Sequence, residues 1–362
     1  EMKTMVSRRA ALRLAAVSLT PAAMAACAPN GDPRAALAGE TPVADTTRAP
    51  ATPAATATPL PPTPTPAPTP TPAPEPEEWA GATWRGKVDV TPRDARQGTT
   101  LLVRVWTTEA KSVNVTYEGR EFPMAREGNA YVALFGVERL GPRPGLRQLR
   151  FALIDGARRA GRNDPADAYR VIDAAYPTED LIVDAKTMAL LDPVKMNQED
   201  AFLNGIMGRW IPERYWSGMF SEPMTSAAGS VPLSSDFGVK RSINGNPANW
   251  SHEGTDYEVD TGDPIRACAN GKVVYVGELH VRGKVAIVDH GWGVMTGYFH
   301  MFQQQVQVGE DVKRGQQIGL VGSTGFVTGP HLHVEIRVRN VNVEPLEWFQ
   351  RTPFDRPDLA TL

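Results

Sequence analysis

Cysteine is nearly absent from this chain, with two in 362 residues. Cys27 and Cys268 give no disulfide framework, so stability has to come from packed cores. Basic charge is short as well: 38 Lys and Arg stand against 41 Asp and Glu, a net charge of −3. Without the first 27 residues the balance is 34 against 40, or −6. Neutralising phosphates takes clustered Lys and Arg, so nucleic acid is excluded as a partner. Long apolar runs are missing too. The stretch ending at Ala26 is broken by Arg13 and Pro21, which makes it a poor membrane span, and no later segment is long enough. Histidine is scarce, six in all, and that scarcity makes its placement informative.

The composition that is present divides the chain into five parts. Residues 1–27 read as a targeting segment. Ser7-Arg8-Arg9-Ala10-Ala11-Leu12-Arg13 resembles a twin-arginine export signal. Met24-Ala25-Ala26-Cys27 resembles a lipoprotein cleavage box with Cys27 as the acylated residue. The expectation is an exported protein held by lipid to the outer face of the cytoplasmic membrane, in the cell wall. Residues 28–78 are rich in Pro, Thr and Ala, densest at Pro61-Pro62-Thr63-Pro64-Thr65-Pro66. Proline fixes φ and removes donors, so this part reads as an extended polyproline linker. At about 3.1 Å per residue, roughly 35 residues would reach on the order of 100 Å.

Residues 79–184 read as all-β, with short strands near 86–90, 100–106, 113–117, 130–137, 148–154 and 168–174, separated by Gly, Pro and Asp clusters. The spacing fits an immunoglobulin-like β-sandwich without a bridging cystine. It carries no catalytic constellation, and a spacer or binding role is expected. Residues 185–225 read as a short helical connector. Asp192 suits a cap, Pro193 the first turn, and Met196, Phe202, Leu203, Ile206 and Met207 fall near one stripe. Residues 226–362 are β-rich again.

This last part holds the metal-type residues. The segment 331–338 alternates: Leu332, Val334, Ile336 and Val338 lie on one face, His331, His333, Glu335 and Arg337 on the other. A half-buried strand with one open, polar face is expected, and on that face two imidazoles look into the same space. Upstream, His252 and Asp256 flank Gly254 and Thr255. Those two residues disfavour helix, so a loop entering a strand is the reading. His252, Asp256 and one histidine of the downstream pair would make three ligands and leave the fourth tetrahedral position of zinc open to water. A third alternating segment would put Tyr298 and His300 on one face. His280 and His290 read as surface or structural residues, and Cys268 as a small buried hydrophobe.

His252-x-Gly254-x-Asp256, Tyr298-x-His300 and Gly329-Pro330-His331-Leu332-His333-x-Glu335, in this order, resemble the motifs of the lysostaphin-type zinc metallopeptidases. These are the peptidoglycan endopeptidases. The resemblance runs from about Ser235 to Phe349, with Met301 and Val327 departing from the usual Leu and Ser. It implies an antiparallel β-sheet peptidase domain with Zn²⁺ held by His252, Asp256 and His333. It implies a catalytic pair of His300 and His331, Tyr298 at the substrate, and peptide stems or cross-bridges of peptidoglycan as the target. Glu253 competes as general base, although adjacent side chains on an extended chain point apart. Asn249, Trp250, Arg241 and Trp292 are further rim candidates, and Lys240-Arg241 could meet a substrate carboxylate. A catalytically silent wall-binding lipoprotein is the alternative, and loss of ligands would favour it. A carrier-type reading of 308–316 leaves the metal-type residues without use.

Overall fold

The structure, a computed structural model, describes residues 78–81, 84–141, 143–155, 158–160, 166–225 and 231–354. The export signal, Cys27 and the polyproline linker, apart from Glu78, lie outside the described residues.

Two sheets form around the first core. One runs in the order Glu78–Gly81, Trp84–Thr91, Thr100–Thr107, Ala130–Gly136, Ala125–Glu127. The other runs Asp94–Arg96, Ala166–Ile172, Gly145–Asp155, Ser112–Tyr117, Arg120–Pro123, with Arg158–Ala160 paired to Gly145–Asp155. Val103, Val115, Phe135, Phe151 and Tyr169 belong to a single buried cluster fed by both sheets, as expected of a sandwich.

The strand Ala130–Gly136 is buried along its whole length, and its sequence explains why. Tyr131, Ala133 and Phe135 enter the sandwich core, while Val132 and Leu134 on the opposite face join the core of the C-terminal part. A seven-residue stretch without a charged side chain is the pattern of a strand covered on both sides. Bonds across the junction reinforce it: the Trp348 indole donates to Thr100 Oγ1 at 2.9 Å, and Thr99 Oγ1 donates to Glu347 at 2.7 Å. The sandwich is therefore fused to its neighbour through shared core, with each fully buried Val or Leu contributing roughly 1.5–3 kcal/mol.

The C-terminal sheet runs Leu233–Ser235, Thr255–Tyr257, Leu332–Val338, Val294–Gln304, Gly283–Gly291, Gly271–Leu279, Asp311–Val312. Strand Gln317–Val321 adds to Val294–Gln304, and Val341–Val343 adds to Leu332–Val338. Thr178–Leu181, read from sequence as the end of the sandwich, pairs in parallel with Lys240–Ile243 of the C-terminal part. The connector helix spans Pro193–Met207 and begins as expected, with the Asp192 carboxylate accepting from Val194 N and Lys195 N. Its buried residues are Glu199, Leu203 and Met207, whereas Phe202 is exposed.

One expectation is corrected here. Strand Leu332–Val338 is buried on both faces, with no open polar side. Leu332, Val334, Ile336 and Val338 lie in the main core. His333, Glu335 and Arg337 are buried too, because charged groups from elsewhere in the chain pack over them. Alternation identified two chemically different faces, but it could not reveal that the polar one is covered.

Candidate metal centre

Strand register brings the first ligands together. Thr255–Tyr257 pairs antiparallel with Leu332–Val338 so that Asp256 sits directly opposite His333. Opposed residues of an antiparallel pair point to the same side. His333 Nδ1 lies 2.7 Å from Asp256 Oδ1. His252 arrives from the loop ahead of that strand, its Nε2 3.1 Å from Asp256 Oδ1 and 3.0 Å from His333 Nδ1. Gly254 allows this approach, since a Cβ there would stand 2.1 Å from Val334 O and 2.9 Å from the His333 ring. Among the described residues, His252, Asp256 and His333 are the group with metal-binding geometry.

These atoms suit a zinc ion on two grounds. A triangle with sides near 3 Å has a point about 2.0–2.1 Å from all three corners, the length of zinc bonds to nitrogen and oxygen. The far nitrogen of each imidazole is also occupied. His252 Nδ1 donates to the Asp236 carbonyl at 2.8 Å, and His333 Nε2 faces Glu335 Oε1 at 3.4 Å. In its neutral form each ring thus turns a lone pair inward, the supporting arrangement that ligand histidines show. Burial opposes charge on Asp256, yet His252 and His333 hold its carboxyl well below the usual carboxylate range. Burial also opposes a proton on His333, but hydrogen bonds to Asp256 and Glu335 outweigh it and raise the imidazole to about 9 without a metal.

The other two histidines stand beside this triangle. His331 Nδ1 donates to the Gly329 carbonyl at 3.0 Å, and its Nε2 lies 3.9 Å from Asp256 Oδ1. His300 Nδ1 donates to the Thr324 carbonyl at 2.7 Å. The two rings are 4.9 Å apart between centroids. Burial lowers the basicity of both. Neighbouring His331 and His333 reinforce the effect at His300, while at His331 Asp256 pulls the other way.

His300 reaches this side through a break in its strand. Between the pairs Tyr298↔Ala286 and Met301↔Lys284 the register shifts, and two residues oppose one. His300 has φ +59°, the left-handed conformation that bulges exploit to re-aim a side chain. The expectation that Tyr298 and His300 share a face is therefore corrected. Tyr298 is fully buried on the core side, its hydroxyl accepting from Cys268 N at 2.8 Å and lying 3.1 Å from Thr296 Oγ1. It does not line the cavity over the metal-type residues.

That cavity encloses about 290 Å³. His252, Asp256, His300, His331 and His333 belong to its lining, with Arg241, Trp250 and the apolar Leu181, Leu191, Met196 and Phe326. Trp292 lies elsewhere, against Arg214 and Phe354. The side chain of Asn249 is outside the described ones. Arg241 is buried and bonded to Glu179 at 2.6 Å and to Ser235 Oγ at 2.9 Å. His290 is structural, bridging the Asn270 carbonyl and Thr296 Oγ1. Cys268 is buried, and burial pushes its thiol up to about 12.

Sequence reasoning missed the charged groups behind the ligands. Glu253 is paired with Arg139 at 2.7 Å and Arg282 at 2.8 Å. Glu335 is paired with Arg337 at 2.8 Å, and Arg282 reaches Glu199 at 3.0 Å. Burial and the Glu335 charge oppose ionisation of Glu253, yet the three arginines hold its carboxyl down. Strand alternation flagged Glu335 and Arg337 as one face. Nothing local marked Arg282 as a neighbour of Glu335, or Arg139 and Glu199 as the partners of Glu253 and Arg282.

Residues 250–345 match the model of Peptidase family M23. Over 96 residues, 26% of this chain, the sequence is 40% identical to the peptidoglycan DD-endopeptidase ShyB of Vibrio cholerae, of which that stretch is 22%. Over 102 residues, 28% of this chain, it is 39% identical to the DD-carboxypeptidase/endopeptidase Mpg of Neisseria meningitidis, covering 24% of that protein. The chain thus spans about a quarter of the length of the curated relatives it matches. A crystal structure from Pseudomonas aeruginosa, described as a peptidase M23, aligns with a TM-score of 0.52 at 25% identity. It covers 72% of this chain and 96% of its own, well beyond the family-matched residues.

Proposed function

We propose, from the premise that residues 250–345 form a peptidase family M23 domain, that this protein is a zinc metalloendopeptidase hydrolysing peptide cross-links of bacterial peptidoglycan. The observation that carries the reading is the triangle of His252 Nε2, Asp256 Oδ1 and His333 Nδ1, its sides 2.7–3.1 Å, with His300 and His331 beside it. The names of the relatives support peptidoglycan as the substrate class. A bound zinc ion would supply Lewis acidity and make water nucleophilic near neutral pH.

The chain's own residues divide the remaining work. His252, Asp256 and His333 would hold the ion, with the Asp236 carbonyl and Glu335 orienting the two rings. His300, with Nδ1 committed to Thr324, keeps Nε2 free to accept a proton from the attacking water. His331, with Nδ1 committed to Gly329, presents the lone pair of Nε2 on the Asp256 side, where it can accept a hydrogen bond from water and, only once it has taken up a proton, donate to the developing oxyanion. Glu253, tied to arginines, is not the base in this account. The cavity over the site, about 290 Å³ and partly lined by Leu181, Leu191, Met196 and Phe326, offers apolar surface to a peptide. Tyr298 is assigned no contact with substrate, because its hydroxyl is bonded within the core.

Lipid on Cys27 and the polyproline stretch complete the proposal: they tether the enzyme outside the cytoplasmic membrane at a distance that suits a wall polymer. Among the described residues, no helix is long and apolar enough to cross a membrane. Cys27→Ser should release the protein into the soluble exported fraction. A variant that stays with the membrane would contradict the tether.

The hydrolase reading is tested by digesting purified cross-linked muropeptides with the zinc-loaded chain and measuring product masses. Splitting of dimers into monomers, stopped by a chelator and restored by zinc, is expected. Intact dimers alongside one bound zinc per chain would overturn the substrate assignment.

A further inference from the structure

The sandwich read from sequence as a spacer sends one side chain into the metal-binding loop. Arg139 follows the strand Ala130–Gly136 and crosses to the C-terminal part. Its Nε donates to Ser251 Oγ at 2.9 Å, and its Nη2 donates to the Ser251 carbonyl at 3.3 Å and to Glu253 Oε1 at 2.7 Å. Those contacts fall on the residues immediately before and after His252. The Arg139 side chain is 14% exposed, and an enclosed charge that loses its partner is destabilising.

The same contact continues inward. The other oxygen of Glu253 meets Arg282 at 2.8 Å and lies 3.6 Å from Arg337. Arg337 fixes Glu335, and Glu335 faces His333 Nε2. Asn342 joins the two acids, donating to the Glu253 carbonyl at 3.0 Å and to Glu335 at 2.9 Å. The connector helix closes the network from behind. Glu199 accepts from Val281 N, Arg282 N and Arg282 Nη1, and Asn204 accepts from Arg337. The His333 ring thus rests on this set of ion pairs through Glu335, and the residues on either side of His252 are tied to it through Arg139 and Glu253; the sandwich contributes Arg139 and the helix contributes Glu199.

We propose that Arg139 is a positioning residue of the metal centre: by bracketing His252 through Ser251 and Glu253, it makes the N-terminal sandwich part of the metal-binding apparatus. The inference rests on His252, Asp256 and His333 being the metal ligands, and it is independent of which substrate is cut. Groups that orient ligands from behind typically contribute about 10- to 100-fold in metal affinity. Arginine suits this place because its planar fork can hold a hydroxyl, a carbonyl and a carboxylate at once, which an ammonium on a flexible stem does less well.

The test uses the full chain and reads metal binding directly. Zinc affinity is measured by competition with a chromophoric chelator, and ligand geometry by the visible absorption of the Co²⁺-substituted protein. Arg139→Met should weaken zinc binding about 10- to 100-fold and alter the Co²⁺ spectrum, and Arg139→Lys should recover part of both. Thr99→Val is the control. It removes a different bond between sandwich and C-terminal part, Thr99 to Glu347, and should leave metal affinity and spectrum unchanged. If Arg139→Met does not fold, Arg139→Lys alone still decides, because the proposal requires its affinity to fall below that of the parent. Parent-like affinity and spectrum in Arg139→Met or in Arg139→Lys would overturn the proposal. So would an equal loss in Thr99→Val, which would mean that docking of the sandwich is all that matters. A parent chain that binds no metal would overturn the ligand assignment and this inference with it, whereas metal binding without muropeptide cleavage would count only against the substrate.

Discussion

Asp256 and His333 are strand partners, and that single register places Asp256 Oδ1 2.7 Å from His333 Nδ1 across 77 residues of sequence. A slip of one residue would turn His333 into the core and Leu332 or Val334 toward the cavity. The apolar residues that alternate with His333 therefore guard the metal site as well as the core.

Gly254 sets the tolerance of this arrangement. An added methyl group would meet the Val334 carbonyl at 2.1 Å, and backbone in a central sheet cannot move aside cheaply. Gly254→Ala should cost on the order of 1–3 kcal/mol in a chemical denaturation experiment. It should also weaken zinc binding, because the shift carries His252 away from His333. Unchanged stability and affinity would show that the loop is looser than these distances indicate.

Gly205 makes the opposite case. It lies in the helix Pro193–Met207, and a Cβ there meets nothing within 4 Å. Gly205→Ala should therefore raise stability by about 0.4–1 kcal/mol, mainly by restricting the unfolded chain. Denaturation midpoints of the variant and the parent decide it.

Much of this was legible in the sequence, and the gaps have physical reasons. Strands announced themselves wherever apolar alternation or a continuous apolar run met a Gly or Pro boundary, as at Ala130–Gly136 and Leu332–Val338. The helix was legible at its start because Asp192 and Pro193 act locally. His300 shows what was hidden. A bulge shifts periodicity by one residue, and no residue type in Tyr298-Phe299-His300-Met301 signals it. The covering of the polar face of Leu332–Val338 was hidden for another reason: Asn204, Glu253 and Arg282, which meet Glu335 and Arg337, lie far away in sequence, and none is marked locally as a partner of that strand.

Glu344 gives the fold a pH dependence. Its carboxylate caps the final helix, Pro345–Gln350, by accepting from Leu346 N at 3.2 Å. Burial, with the charges of Asp236 and Glu347, nevertheless raises it from the usual 4.5 to about 7. A carboxyl raised on folding contributes stability that is full below about pH 4.5 and is lost as pH rises through about 7. The loss across that window is on the order of 3 kcal/mol at most. Glu344→Gln should flatten this part of the stability–pH curve. An unchanged slope between pH 5 and 8 would assign the dependence to other groups.

The central claim is that five residues do two kinds of work: His252, Asp256 and His333 hold the metal, while His300 and His331 handle water and its proton. His331 and His333 lie only two residues apart, which permits the most direct test, zinc content and turnover measured side by side on His331→Ala and His333→Ala. His333→Ala should purify with little zinc and no activity. His331→Ala should retain about one zinc per chain and lose on the order of 10² to 10⁴ in turnover. Zinc lost from His331→Ala and retained by His333→Ala would contradict the assignment.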